Sequence, residues 1–230
     1  MCGRFTLFEA DTILSKEFGA SIPFDLKPRY NVAPSQQIAA VRSRPDGGKR
    51  EFTLLRWGLI PSWAKDASIG NRLINARAET VAEKPSFRNA FRHRRCLVPM
   101  NGFFEWSKRG IHKQPNFLAL SDKRVMAVAG LWERWEGSIS EEGQEGEPIE
   151  SCTLLTTGAN ELIAPMHDRM PVIVAPENYE LWLNPSEKDP AILQSLLTPY
   201  PSGEMFSRPV SLRVNNPSAD DARLLDLPTE

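Results

Sequence analysis

The apolar residues of this chain come in short runs, and none approaches the ~20 residues that a membrane-spanning helix requires. Short runs build short elements, so the fold must assemble many of them around a shared core. Leu7, Phe8, Ile13, Leu14 and Phe18 follow helical spacing, which predicts an amphipathic helix over 7–19 ending near Gly19. Pro23, Pro28 and Pro34 punctuate a stretch that reads as extended coil. Strands are expected at 37–43 and 51–57, joined by a turn at Pro45-Asp46-Gly47-Gly48. Ser86 is placed to cap a short helix through Arg95, followed by a strand at 96–100 and an aromatic strand containing Phe103, Phe104 and Trp106. Residues 116–121 and 125–132 read as a hairpin, and strand-like runs resume at 152–156 and 171–175. Pro176 and Pro190 each suit the first turn of a helix, with Asp189 as the cap of the second. No regular βαβ rhythm appears. The expected class is α+β, a mixed and mostly antiparallel β-core with short peripheral helices, in one domain over 1–230. Residues 136–150 (EGSISEEGQEGEPIE) are acidic and nearly free of apolar side chains, as a mobile surface loop would be.

Composition excludes several functional classes. The N-terminus lacks the basic and apolar regions of a secretory signal, so an intracellular, cytoplasmic protein is expected. Three cysteines (Cys2, Cys96 and Cys152) and three histidines (His93, His112 and His167) are too few and too scattered for a disulfide framework or a metal cluster. Cys96 and Cys152 are expected in the core. No phosphate-cradling glycine motif is present. The charge is divided unevenly. Residues 1–115 hold 20 Lys+Arg and 10 Asp+Glu; residues 116–230 hold 8 and 19. A basic surface facing a polyanion would produce this split, and so would two halves that intermix and neutralise one another.

Cys2 carries the most specific chemistry. Without Met1 its thiol and a free α-amine form a 1,2-aminothiol, which condenses with aldehydes to a five-membered thiazolidine. Unperturbed, the amine titrates at about 7.7–8.0 and the thiol at about 8.5, so reactive forms of both exist near neutrality. A disordered terminus with an incidental cysteine is the plainer reading, weakened by the docking-like Gly3-Arg4-Phe5 that follows.

Other residues supply partners. In extended form Asn75, Arg77 and Glu79 share one strand face, a row suited to amines, hydroxyls and phosphates; a solvated face has the same spacing. Glu105, inside Gly102-Phe103-Phe104-Glu105-Trp106, would gain a raised pKa against aromatic surface, or simply face outward from its strand. His167 is a proton shuttle by residue type, with Arg169 beside it to hold an anion. The run from Arg88 to Arg95 adds phosphate-binding potential or an ordinary solvated helix face. Trp57, Trp63 and Phe87 are stacking candidates, with Trp57 assigned to the core.

Six segments in order resemble the SOS response-associated peptidase family of abasic-site processing proteins. They are Met1-Cys2-Gly3-Arg4-Phe5, Arg29-Tyr30-Asn31-Val32-Ala33-Pro34, Trp57-Gly58-Leu59-Ile60-Pro61, Ile74-Asn75-Ala76-Arg77-Ala78-Glu79-Thr80, Gly102-Phe103-Phe104-Glu105-Trp106 and His167-Asp168-Arg169-Met170-Pro171. The resemblance implies a barrel-like β-core with a basic groove for single-stranded DNA, acting as a monomer with no cofactor and no metal. It implies loss of Met1, by an aminopeptidase or by self-processing, and attack of Cys2 on the ring-opened aldehyde of an abasic site. Asn75 would position the amine and sugar, Glu105 would act as acid and base, and His167 would protonate the sugar oxygen and assist reversal. Arg4, Arg77 and Arg169 would hold phosphates, Thr156 would line the pocket, and Trp63 would stack on a base. Ala64 stands where some relatives carry a second tryptophan. Three rival functions remain: an amidohydrolase using Cys2 on an amide, a non-covalent single-strand binder, and a protease acting on other proteins.

Overall fold

The structure, a computed structural model, describes residues 2–44, 49–109, 112–137 and 147–228. Met1, the expected turn at Pro45–Gly48 and residues 138–146 of the acidic stretch lie outside the described residues. The strands are β1 (Phe5–Leu7), β2 (Arg29–Val32), β3 (Gln37–Ser43), β4 (Arg50–Trp57), β5 (Asn75–Arg77), β6 (Arg95–Met100), β7 (Gly102–Arg109), β8 (His112–Leu120), β9 (Met126–Trp135), β10 (Ile149–Gly158), β11 (Arg169–Pro171), β12 (Ile173–Val174) and β13 (Met205–Pro209). The helices are α1 (Asp11–Phe18), α2 (Arg88–His93), α3 (Tyr179–Leu183) and α4 (Pro190–Ser195), supplemented by short 3-10 turns.

Two sheets result. One runs β13-β8-β7-β1-β2, antiparallel throughout. In the other, β3, β4, β10, β9 and β6 close on themselves, because β10 pairs with both β4 and β9. The closed five-strand ring is the barrel-like core expected within an α+β class, and among the described residues only the β10 pairings with β4 and β5 are parallel. Closure removes exposed strand edges over the ring. Trp57, fully buried, fills the space between the sheets with its ring 5.3 Å from Phe5, and its indole N–H donates to the Ile74 carbonyl. Cys96 and Cys152 are buried in this core, and burial pushes the Cys96 thiol up to about 12.

Several expectations from local pattern give way to pairing. The predicted helix over 7–19 is shorter: Phe5–Leu7 is a strand between β2 and β7, and α1 begins at Asp11. Leu7 fits the helical stripe, but two neighbouring strands offer its backbone better partners. Ile13, counted in that stripe, is 51% exposed. Gly19 ends the helix as expected, at φ 62, with its N–H bonded to Ser15. The stretch expected as coil after Pro23 contains β2. The helix expected from a Ser86 cap to Arg95 is confined to Arg88–His93, has no side-chain cap, and gives way to β6 at Arg95. The strand face over 72–79 reduces to Asn75–Arg77, with turns following.

The predicted hairpin of 116–121 with 125–132 does not form. β8 pairs with β7 and β13, whereas β9 pairs with β6, β10 and β12 in the other sheet. The link between them, with Lys123 at φ 61, crosses between sheets. The Pro176 and Pro190 turns and the Asp189 cap are as expected, Asp189 Oδ1 accepting from the Ala191 N–H at 2.9 Å.

Part of the uneven charge resolves by intermixing. Arg29 pairs with Asp220, Arg42 with Glu150, Arg50 with Glu180 and Arg94 with Glu133, each joining the basic first half to the acidic second.

Candidate active site

β1 and β7 set the site. Phe5 stands opposite Phe103 and Thr6 opposite Gly102, and the Phe104 N–H donates to the Arg4 carbonyl at 2.9 Å. Continuing that register places Gly3 opposite Glu105 and Cys2 beside it. On the other side of β7, Gly102 makes room for β8, since a Cβ there would lie 2.3 Å from the Phe117 ring. Across from this ribbon, β5 lies parallel to β10 with Asn75 opposite Leu154, and β10 in turn pairs Thr156 with Pro171 of β11. Asn75 on β5 and Glu105 on β7 thus reach Cys2 from different strand pairings.

Asn75 Nδ2 donates to the Cys2 carbonyl at 2.8 Å, while its buried Oδ1 has no partner among the described residues. Cys2 is fully buried, and burial, with the charge of Glu105 adding to it, drives its thiol pKa far up. Glu105 is only 4% exposed, so it does not face outward as an ordinary strand glutamate would. Burial raises its carboxyl above the usual carboxylate range, and nearby positive charge, that of His167 included, pulls it partly back.

His167 receives the Arg169 backbone N–H on Nδ1 at 3.0 Å, which leaves Nε2 to carry the proton of the neutral ring. Asp168 Oδ1 lies 2.8 Å from the same Nδ1, and that carboxylate side chain is 82% exposed. Glu105 and His167 line one cleft of about 670 Å³, with Trp106, Lys108, Lys113, Pro165 and Met166 completing its wall.

The remaining predicted residues divide by environment. Arg169 forks onto Glu79 at 2.6 and 2.8 Å and donates to the Thr156 carbonyl. Thr156 is buried, its hydroxyl 3.4 Å from the Ala76 carbonyl. Arg77 is exposed on β5. Arg4 Nη1 donates to Asn31 Oδ1 and the Val214 carbonyl. Asn31 Nδ2 is shared among the carbonyls of Val214, Asn216 and Ala219, so the C-terminal segment is tied to the strand that follows Cys2. Trp63 is 58% exposed and is not among the residues that line the cleft. The basic run of 88–95 is no phosphate surface at its end. Arg95 is buried, gives its N–H groups to five backbone carbonyls, and has its pKa lowered to about 10 by burial.

Sequence reasoning missed Lys108 and Lys113 as cleft residues and Asn31 as the tie to the C-terminal segment. The lysines meet only through the β7–β8 register, and Asn31 bonds to residues more than 180 positions away. The first is a short-range pairing of consecutive strands that the sequence reading did not identify; the second leaves no local signal.

The profile described as SOS response associated peptidase (SRAP) matches residues 1–217. The chain is 44% identical over 230 residues to the abasic site processing protein YoqW of Bacillus subtilis (strain 168), covering 98% of this chain and 99% of that one. It is 29% identical to the abasic site processing protein YedK of Escherichia coli (strain K12), covering 98% of this chain and 99% of YedK. A crystal structure of a Bacteroides thetaiotaomicron protein superposes with TM-score 0.86 at 28% identity, covering 98% of this chain and 99% of that one.

Proposed function

This chain belongs to the SOS response-associated peptidase family, and from that membership we propose that it captures abasic sites in single-stranded DNA through Cys2. The observation that carries the reading is the position of Cys2 between the Asn75 amide and the buried Glu105 carboxyl.

The chemistry requires Cys2 at the amino terminus. Its α-amine attacks the C1 aldehyde of the ring-opened sugar, and loss of water gives an imine. The thiol then adds across the protonated C=N bond: sulfur bonds to carbon, the C=N electron pair returns to nitrogen, the thiol proton goes to the carboxylate, and the thiazolidine closes. Glu105 suits both halves. With a raised pKa it retains a proton to give to the departing hydroxyl, and the carboxylate so formed accepts the thiol proton. The Asn75 Oδ1 is an acceptor for the new ammonium or amine, and its Nδ2 holds the Cys2 carbonyl in place. His167, bearing its proton on Nε2, donates to the sugar oxygen as the ring opens and again when the adduct reverses. Arg4, Arg77 and Arg169 hold phosphates, Thr156 lines the pocket, and Trp63 stacks on a neighbouring base.

Denaturing electrophoresis with abasic single-stranded DNA tests the reading. The native chain should give a denaturant-resistant adduct, and Cys2→Ala and an amino-terminally extended chain should not. Equal adducts from all three would overturn it. Release of ammonia from glutamine by the native chain would favour an amidohydrolase.

A further inference from the structure

Lys108 and Lys113 are directly opposite one another across the antiparallel β7–β8 ribbon. Residues so paired have Cβ atoms about 4.5–5.5 Å apart, and like charges in that relation repel. Both lysines are exposed, both line the cleft that holds Glu105 and His167, and neither forms an ion pair with a described carboxylate. This contrasts with Arg29, Arg42, Arg50, Arg94 and Arg169, each matched to an acidic partner. Alternation along β7 sets Lys108 on the face opposite Glu105, so the two ammoniums edge the cleft and do not meet its carboxyl. The cleft thus has a proton-transfer group in its wall and two exposed cations at its margin. A sugar carrying a phosphate has the matching polarity.

We propose that Lys108 and Lys113 form a phosphate clamp that takes the backbone phosphate flanking the abasic sugar. The clamp rests on the reading of abasic DNA as the substrate and adds to it a hold on the phosphate at the margin of the cleft that Glu105 and His167 line. A bridging phosphate oxygen pair relieves the repulsion between the ammoniums, and each gains a charge-assisted hydrogen bond. Trp106, between them and Glu105 in the chain, has its indole N–H engaged by Asn215 Oδ1 at 2.8 Å, which steadies the wall.

The test uses the double variant Lys108→Gln, Lys113→Gln and two single-stranded probes with one abasic site each. One has natural phosphates. The other has uncharged methylphosphonates on both sides of the lesion. On the natural probe, the variant should bind several-fold more weakly, and its slope of log K against log[salt] should flatten by about 0.7, the share of one phosphate contact. On the methylphosphonate probe, wild type and variant should bind alike. The variant's thermal midpoint should equal or exceed that of wild type, because removing opposed like charges does not weaken the ribbon. An equal loss on both probes, or no loss on either, overturns the clamp. A wild type that fails to prefer either probe over a strand without a lesion, and forms no adduct, overturns instead the reading on which the clamp rests.

Discussion

The Asn75 side-chain amide donates to the Cys2 carbonyl at 2.8 Å, across 73 positions of sequence, and this bond fixes the second residue of the chain within the core. Asn75→Ala removes the bond and leaves Cys2 free to wander from Glu105. Displacements of about 1 Å from a reactive geometry cost on the order of 100-fold in rate. The expected result is a comparable fall in the rate of adduct formation, followed by quenched-flow sampling and denaturing gels, with equilibrium DNA binding much less affected.

Glu105 ties function to stability with opposite signs. Its native pKa is raised above the unfolded value of about 4.3. The native state therefore holds the proton more tightly, and the carboxylate costs stability. That cost is absent below the ordinary carboxylate pKa and complete above the raised native one. Glu105→Gln should match wild type in acid and become the more stable protein as pH rises, read from thermal midpoints across pH. Its adduct formation should fall by about 100-fold, the scale of one lost catalytic contact.

Trp63 stands 58% exposed and contributes little to the core. Trp63→Ala should change unfolding free energy by less than about 0.5 kcal/mol. If the indole stacks on a base, single-strand affinity should drop by about 1–3 kcal/mol. Fluorescence anisotropy with a labelled strand measures this, and unchanged affinity would remove Trp63 from the DNA surface.

Asn31 joins the strand after Cys2 to the C-terminal segment through Arg4, Val214, Asn216 and Ala219. Asn31→Ala leaves those groups without this partner inside the protein. Leaving buried polar groups unsatisfied costs about 1–3 kcal/mol each, so a loss of about 2–4 kcal/mol is expected in chemical denaturation. A loss below about 0.5 kcal/mol would show that the C-terminal segment is held by other contacts.

Local sequence pattern determined the short strands, the helix stop at Gly19, the Asp189 cap, the burial of Trp57, Cys96 and Cys152, and the aminothiol potential of Cys2. These depend on residue type and spacing over a few positions, where propensity and periodicity act. Pairing between distant segments decided the rest. It turned Leu7 from helix to strand, sent β8 and β9 into different sheets, and closed the five-strand ring through β10. It also buried Glu105 and spent Arg95 on backbone carbonyls, although by residue type both belong at the surface. Lys108 and Lys113 are paired at short range, by the register of consecutive strands, but the wall that makes them cleft neighbours of His167 comes from a distant segment. A side chain's charge is written in the sequence, but its solvation and its partners are set by which strands lie beside it, and those are chosen by the free energy of the whole core.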